Sequence, residues 1–380
     1  MKIAITAGDP NGIGYEVILK ALEDPKIFEL FTPVIYGSAR AATHYRRMMD
    51  LPGVQLNQIN DATQAKDGFA SIINVTDDVQ PEPGVSSPQA GKDALAALEA
   101  AVADLRAGKV DALVTAPINK KNIQSEKFAF PGHTEYLEAS YGDGAKALMI
   151  LATEKLRVAL VTTHLPIGRL SEAITRENIV EKLRIFATSL HRDFACDNPR
   201  IAVLALNPHA GEEGLLGTEE TEVIAPAIAE AREAGIQAFG PYPADGFFGS
   251  GAYTRFDGVL AMYHDQGLAP FKTIAMDRGF NFTAGLPYVR TSPDHGTGYD
   301  IAGQGVASAQ SMREAIYAAI DIVRNRAIED EAHANPLKRQ YRPDDKKRQD
   351  KQRRDNTPAA DNAAAEAPAD KTANDKPAND

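Results

Sequence analysis

Short runs of β-branched and aliphatic residues alternate along this chain with longer amphipathic segments. The runs have the length of strands and the amphipathic segments the length of helices. The alternation therefore predicts an α/β fold with a mostly parallel sheet. The predicted strands are 2–6, 33–36, 112–115, 147–152, 157–162, 201–206, 238–240 and 258–262. The predicted helices are 15–22, 41–49, 92–107, 176–190, 219–234 and 312–325.

The composition divides the chain into a globular part and a tail. Of the 380 residues, 43% are hydrophobic, which is enough to form a large core. From Pro336 onward the sequence is first basic and then rich in Ala, Asp, Pro and Asn. We expect residues 1–335 to form the folded unit and residues 336–380 a disordered, charged tail. The basic half of the tail could also bind nucleic acid or a membrane surface, but its interleaved acidic residues favour a solvated tail.

Charge and apolar segments limit the classes of partner and the compartment. The formal net charge is −11 and the pI is near 5.3, so nucleic acid is not expected as a partner. No apolar run approaches the roughly 20 residues of a membrane helix, and the N-terminus lacks the apolar stretch of a signal peptide. The single cysteine, Cys196, excludes an internal disulfide and fits a reducing compartment. These features predict a soluble, cytoplasmic protein with no membrane partner.

The loop at residues 8–14, GDPNGIG, joins the first predicted strand to the first predicted helix. Its glycines allow close backbone approach, and the helix N-terminus behind it could face an anion. The glycine spacing differs from the dinucleotide-binding fingerprint, and no acidic residue follows the next strand to hold a ribose. A nicotinamide cofactor would therefore bind through another architecture, with residues that the sequence does not identify. A plain tight turn explains the loop equally well.

Three histidines each follow a different predicted strand: His164 in TTHLP, His209 in LNPHAGE and His264 in YHDQG. In open α/β sheets ligands bind outside the carboxyl ends of the strands, so we expect these loops to converge. One histidine in such a loop is more often structural, but three in equivalent positions predict an open metal site with room for substrate oxygens. Asp245 and Asp265 are candidates for orienting the imidazoles or for acid–base catalysis, although either could simply be a turn residue.

A second group of side chains is suited to anions. His133 and Thr134 stand just before a helical pattern, Lys272 follows the third histidine loop, and Asn281 and Arg290 come further along the chain. Such donors, when gathered together, suit a phosphate and a carboxylate. Taken singly, each is more often a solvated charge or a helix cap. Together with the histidines they predict a metal-assisted enzyme that acts on a small phosphorylated substrate.

Eight motifs resemble those of a known family, the 4-hydroxythreonine-4-phosphate dehydrogenases of pyridoxal phosphate biosynthesis. They occur in order from Thr6 to Gly303, and together they are highly specific. The motifs are TAGDPNGIGYE, VTAPINK, FPGHTEYL, TTHLP, LNPHAGEEG, GPYPAD, YHDQGLAPFK and GFNFTAGLPYVRTSPDHGTGYDIAG.

The resemblance implies a two-lobed, isopropylmalate-dehydrogenase-like α/β fold with the active site in the cleft between the lobes. It also implies a homodimer whose metal site draws on both copies. The implied reaction is NAD-dependent oxidation of the C3 hydroxyl of 4-phosphooxy-L-threonine, followed by loss of carbon dioxide to give 3-amino-2-oxopropyl phosphate. Carried over by motif, the metal ligands are His164, His209 and His264, and the substrate-binding residues are His133, Thr134, Lys272, Asn281 and Arg290.

Several alternatives stay open from the sequence. Either Asp245 or Asp265 could take the hydroxyl proton. Three imidazoles accommodate zinc, cobalt, nickel or manganese, and magnesium also fits if substrate oxygens complete its shell. A related oxidation of a four-carbon sugar-acid phosphate, such as threonate 4-phosphate, would use the same residues. A metallophosphohydrolase and a non-catalytic sensor of phosphorylated metabolites are the alternatives from other functional classes.

Overall fold

The computed structural model describes residues 1–76, 80–275 and 278–336. Residues Met1–Glu331 form one compact unit. Of the second unit, Ala332–Asp380, only residues 332–336 are described. The tail that the composition predicts at 336–380 therefore lies, apart from Pro336, outside the described residues.

Twelve strands of the described residues form one sheet. In chain order they are β1 (Lys2–Thr6), β2 (Thr32–Gly37), β3 (Leu56–Ile59), β4 (Ala70–Asn74), β5 (Ala112–Thr115), β6 (Leu148–Ala152), β7 (Arg157–Leu160), β8 (Arg200–Leu204), β9 (Gln237–Tyr242), β10 (Gly258–Ala261), β11 (Phe280–Ala284) and β12 (Val289–Pro293). Their order across the sheet is β3-β4-β2-β1-β5-β12-β11-β6-β7-β10-β8-β9. Three neighbouring pairs in the centre of the sheet are antiparallel: β12 with β11, β11 with β6, and β6 with β7. All other neighbouring pairs are parallel. The predicted α/β fold with a mostly parallel sheet is confirmed.

Helices connect these strands. They are α1 (Gly14–Ala21), α2 (Ala39–Met48), α3 (Pro88–Arg106), α4 (His133–Tyr141), α5 (Leu170–Ala173), α6 (Arg176–Arg192), α7 (Ala225–Glu233), α8 (Ala244–Gly249), α9 (His264–Ala275) and α10 (Gln310–Ala334). A π-helical segment, Glu220–Ile224, precedes α7 and divides the helix predicted at 219–234. Within the described ranges no helix is long and apolar enough to cross a membrane.

Side-chain caps define where several helices begin. The hydroxyl of Ser38 accepts a hydrogen bond from the Ala41 amide at the start of α2, and Ser87 does the same for Ala90 at the start of α3. Such caps satisfy amides of the first helical turn that have no partner inside the helix. The sequence therefore determines these boundaries locally, before any tertiary packing.

The inner strands of the sheet are buried on both faces, and alternate residues enter different parts of the core. Ile3 and Ile5 of β1 belong to one apolar cluster, while Ala4 between them belongs to a second cluster on the other face. This is the expected pattern for parallel strands covered by helices on both sides. Because both faces are filled, a ligand can approach the sheet only at its edges and at the ends of its strands.

Two local predictions that concern the site are wrong, and outside it the strands β3 and β4 were not predicted. His264 was expected inside a loop, but it is the first residue of α9, so the loop after β10 is only two residues long. The strands β11 and β12 were not predicted, because polar residues such as Asn281 and Arg290 interrupt their apolar pattern. Both strands lie in the centre of the sheet and carry residues of the candidate site.

Candidate active site

A cavity of about 290 Å³ opens where β5, β12, β11 and β6 lie side by side. Seven of the ten predicted site residues line it: His133, Thr134, His164, His264, Lys272, Asn281 and Arg290. The other three, His209, Asp245 and Asp265, line a second cavity of about 470 Å³. The structure thus brings the predicted anion-binding residues together with two of the three histidines. We call the first space the central cavity.

Arg290 is a buried cation in the wall of the central cavity, with 4% of its surface exposed. Its guanidinium donates through Nε and Nη2 to Thr115 Oγ1, at 3.1 and 2.6 Å, and through Nη1 to Thr283 Oγ1 at 3.0 Å. Burial lowers the pKa of Arg290 to about 10, so the side chain is still protonated at neutral pH. Among the residues that the structure describes, it forms no ion pair with a carboxylate. The negative charge of Glu135 acts on it only from beyond ion-pair distance. A buried cation without a directly paired carboxylate is costly, so the site suits an anionic ligand.

Helix α4 presents its N-terminus to the same cavity. Gly132, His133, Thr134 and Glu135 line the cavity, and no side chain caps this end of the helix. Burial, together with the positive charges of Arg290 and Lys120, holds the pKa of His133 well below its usual range, so its imidazole is neutral. A neutral imidazole, a hydroxyl and the positive end of a helix dipole are all suited to a phosphate.

His164 lies between a carboxylate and an ammonium group. Its Nδ1 is 2.9 Å from Glu135 Oε1, and its Nε2 is 3.3 Å from Lys120 Nζ. An ammonium can only donate, so Nε2 carries the lone pair and Nδ1–H donates to the carboxylate. His164 therefore has the tautomer of a metal-binding histidine, and the lone pair of its Nε2 faces the positive charge of Lys120.

His264 has a similar arrangement with its chain neighbour. Its Nδ1 is 2.7 Å from Asp265 Oδ1, which leaves Nε2 for another partner. The centroids of the His164 and His264 rings are 6.1 Å apart. The two imidazoles are thus adjacent, and each has a carboxylate on the nitrogen away from the expected ligand.

Several polar atoms of residues in the cavity wall have no hydrogen-bond partner within the described chain. They are His133 Nε2, Glu135 Oε2, Asn281 Oδ1 and His295 Nε2, and all four are buried. Leaving such groups unpaired costs about 1–3 kcal/mol each. The cavity wall therefore contains unpaired donors and acceptors that a polar ligand can satisfy.

His209 is separate from this group. It is exposed and stands in the segment Pro208–Gly214, whose residues 209–213 all have left-handed backbone angles. In residues 1–76, 80–275 and 278–336, no three His, Cys, Asp or Glu side chains are close enough to bind one metal ion. A single chain therefore does not bring His164, His209 and His264 together.

The glycine-rich loop at residues 8–14 acts as a packed turn in this structure. The buried Asp9 accepts hydrogen bonds from the Tyr299 hydroxyl at 2.7 Å and from Asn122 Nδ2 at 2.8 Å. A side chain at Gly8 would collide with the carbonyl oxygen of Pro117. These contacts explain the glycine and aspartate of the loop by packing, and the loop does not line the central cavity.

The structure adds residues to the site that the motif reasoning did not select. Lys120 and Glu135 bond to His164, Thr115 and Thr283 hold Arg290, and Asp294 lies 3.4 Å from Lys272 Nζ. Lys120 and Glu135 occur inside the motifs VTAPINK and FPGHTEYL, so their position next to recognised residues was an available signal. Thr115 and Thr283 also lie inside recognised motifs, but their residue type gives no hint of a role, because a threonine in a strand is ordinary.

Comparisons with known proteins identify the family of this chain. Residues 29–319 match the family described as Pyridoxal phosphate biosynthetic protein PdxA. A 4-hydroxythreonine-4-phosphate dehydrogenase of Bacteroides thetaiotaomicron is 57% identical over 342 residues, which are 90% of this chain and 94% of the relative. The crystal structure of 4-hydroxythreonine-4-phosphate dehydrogenase from Klebsiella pneumoniae is similar with a TM-score of 0.74 and 36% identity, covering 85% of this chain and 98% of that chain. The corresponding enzyme structure from Burkholderia phymatum gives a TM-score of 0.70 at 36% identity, covering 84% and 98%. This chain therefore belongs to the 4-hydroxythreonine-4-phosphate dehydrogenase family of pyridoxal phosphate biosynthesis, and it is a dehydrogenase.

Proposed function

We propose that this chain catalyses the NAD-dependent, metal-assisted oxidation and decarboxylation of 4-phosphooxy-L-threonine to 3-amino-2-oxopropyl phosphate. One observation carries the proposal most directly. The central cavity combines a buried arginine that forms no direct ion pair among the described residues, Arg290, with two histidines whose Nδ1 atoms face carboxylates. The first feature calls for an anionic substrate and the second for a cation beside it.

Substrate binding in this proposal uses the positive charge of the cavity. Arg290 and the N-terminus of α4, with Thr134 at its first turn, would bind the phosphate. Neutral His133 and the carbonyl oxygen of the Asn281 side chain, both unpaired and buried, would bind the remaining polar groups. Lys272, beside Asp294, would face the substrate carboxylate. Binding the two ends of a small molecule restricts its centre, and this restriction lowers the entropy cost of the reaction.

The residues fit a divalent metal ion. The hydrogen bonds of His164 and His264 to Glu135 and Asp265 select the tautomer in which Nε2 carries the lone pair that a metal ion binds. We propose these two histidines as ligands from one copy of the chain and His209 as the ligand from a second copy, in a homodimer. Zinc, cobalt, manganese and magnesium are the candidate ions. A bound metal ion polarises the substrate oxygen and stabilises the negative charge that develops there.

The proposed oxidant is NAD, which would accept the hydride of the C3–H bond. We assign no residues to it. The proton of the C3 hydroxyl needs an acceptor, for which Asp245 and Asp265 remain the proposed groups. Both line the cavity of His209, and Asp265 also contacts His264 of the central cavity in the same chain, whereas Asp245 would reach that cavity only from a second copy. The lone cysteine, Cys196, agrees with a reducing compartment, and we place the enzyme in the cytoplasm.

A coupled assay tests the proposal. The purified chain, stripped of metal with a chelator and reloaded with each candidate ion, would receive NAD and 4-phosphooxy-L-threonine. We expect NADH and carbon dioxide in equal amounts, and only with metal present. Unphosphorylated 4-hydroxy-L-threonine is the matched control for the role of Arg290 and should react far more slowly. NADH formation from threonate 4-phosphate but not from 4-phosphooxy-L-threonine would show that the sugar-acid phosphate is the substrate instead. Phosphate release without NADH would overturn the proposal.

A further inference from the structure

The segment that carries His209 has an unusual backbone. Five consecutive residues have positive φ: His209 (52°), Ala210 (54°), Gly211 (77°), Glu212 (43°) and Glu213 (56°). Residues with a Cβ atom are disfavoured in this left-handed region, and four of the five have one. Such a turn persists only where its surroundings hold it in place. We call residues 209–213 the left-handed turn.

The carboxylate of Glu220 holds the chain that leads into this turn. Its Oε1 accepts hydrogen bonds from the backbone amides of Leu206, at 2.8 Å, and Asn207, at 2.7 Å. Its Oε2 accepts a third from Asn207 Nδ2, at 3.0 Å. The neighbouring Glu219 also accepts from Asn207 Nδ2, at 2.7 Å. The two residues before Pro208 are therefore fixed by one side chain from the π-helical segment.

Glu220 also touches the centre of the turn. A Cβ atom built on Gly211 would lie 2.6 Å from Glu220 Oε2, so the glycine backbone packs directly on the carboxylate. Glu220 is 3% exposed, and in the described chain its carboxylate forms no ion pair with a lysine or arginine. A buried carboxylate needs compensation, and here it comes from the amides that lead into the turn. The side chain is thus placed to hold the turn rather than to face solvent.

We propose that Glu220 is a positioning residue, which fixes the left-handed turn so that His209 points outward in one orientation, ready to bind metal. This inference rests on the proposed function of His209 as a metal ligand. It assigns Glu220 no contact with metal or substrate. Glu220 restricts the His209 loop before the site assembles. Less conformational entropy is then lost when the metal ion binds.

The test uses cobalt as the probe, because its visible absorption reports on its ligands independently of turnover. The full chain and its variants would be titrated with Co²⁺ well below their unfolding temperatures. For Glu220→Gln we expect the apparent Kd for Co²⁺ to rise by about 10–100-fold, the usual range for residues that orient ligands. Glu222→Gln, an exposed glutamate of the same π-helical segment, is the matched control and should leave the Kd unchanged. Amide hydrogen exchange should accelerate at Leu206 and Asn207 in Glu220→Gln.

Asn207→Ala is a second variant, should Glu220→Gln fail to fold. It removes only the side-chain donor to Glu219 and Glu220, and we expect a smaller rise in Kd with faster exchange in the turn. His209→Ala separates the two proposals. If His209→Ala weakens cobalt binding but Glu220→Gln and Asn207→Ala do not, the positioning role is wrong and the metal site stands. If His209→Ala also leaves cobalt binding unchanged, His209 is not a ligand, and both ideas are overturned.

Discussion

The two cavities that contain the histidines are built differently. His164 and His264 lie in the central cavity at the ends of sheet strands, and each donates through Nδ1 to a carboxylate on a neighbouring segment or residue. His209 stands exposed on the left-handed turn, and the hydrogen bonds of Glu220 go to the backbone beside it. In the first region, hydrogen bonds to carboxylates orient the imidazole side chains. In the second region, hydrogen bonds to a carboxylate fix the main chain beside the histidine.

This difference suits two roles in one assembled site. The central cavity contains the charges and unpaired polar atoms that a substrate needs, so it can bind the substrate's ends within one chain. The left-handed turn has no lysine or arginine, and its histidine does not line the central cavity of its own chain. A rigid, exposed ligand on one copy and a prepared cavity on another are what a shared site requires. The predictions below test whether the two regions act as halves of one site.

The largest effect should come from mixing two inactive variants. We expect His164→Ala and His209→Ala each to lose nearly all activity, because each removes a metal ligand. If the site is shared, a heterodimer of the two has one site with all three histidines. Half of the dimers in an equal mixture are heterodimers, so the mixture should recover about a quarter of wild-type activity. The measurement is NADH formation after co-refolding or subunit exchange.

The matched control mixes His164→Ala with His264→Ala. These two residues line the same cavity, so no heterodimer contains a complete site and no recovery is expected. Recovery in the control, or none in the first mixture, would show that the division of the ligands between two copies is wrong.

The sequence predicts the central cavity better than the left-handed turn, for physical reasons. Strand ends can be read from apolar runs, and β1 and β5 have the predicted bounds. Residues after such ends converge because the sheet is mostly parallel. In contrast, PHAGEE has the composition of an ordinary turn, and only Gly211 hints at a positive φ. Glu220 acts on backbone amides, which have no sequence signature, so its role could be seen only in three dimensions.

Arg290→Met should have the next largest effect. Methionine keeps much of the side-chain volume and removes the charge, so the phosphate loses a buried cationic partner. We expect kcat/KM to fall by about 100-fold or more, mainly through KM. The free energy of unfolding without substrate should change by less than about 1 kcal/mol, because the loss of the hydrogen bonds to Thr115 and Thr283 is offset by the relief of burying a cation. Arg255→Met, at an exposed position, is the control for both measurements.

Activity and stability together decide how Arg290 acts. A large fall in stability with KM unchanged would mean that Arg290 supports the fold through Thr115 and Thr283 rather than binding the substrate.

Glu135→Gln should weaken metal binding moderately. The amide cannot stabilise the His164 tautomer as a carboxylate does, so we expect the affinity for Co²⁺ to fall by about 10–100-fold. The midpoint of thermal unfolding should change little, since Glu135 is partly exposed at the cavity. Glu126→Gln, an exposed glutamate away from the cavity, is the control. Equal cobalt affinity in both variants would show that Glu135 does not support metal binding by His164.

The smallest effects, but opposite in sign, should come from two neighbouring residues of the left-handed turn. Gly211→Ala introduces a Cβ at φ 77° that would lie 2.6 Å from Glu220 Oε2 and 2.9 Å from the Gly217 carbonyl oxygen. We expect it to lower the free energy of unfolding by about 2 kcal/mol, from left-handed strain and this contact. Ala210→Gly relieves the same strain at φ 54° and should raise the free energy of unfolding by up to about 1 kcal/mol. Urea unfolding of both variants measures the difference. If both changes lower the stability alike, the turn is not left-handed in solution, and the contrast between the two regions loses its structural basis.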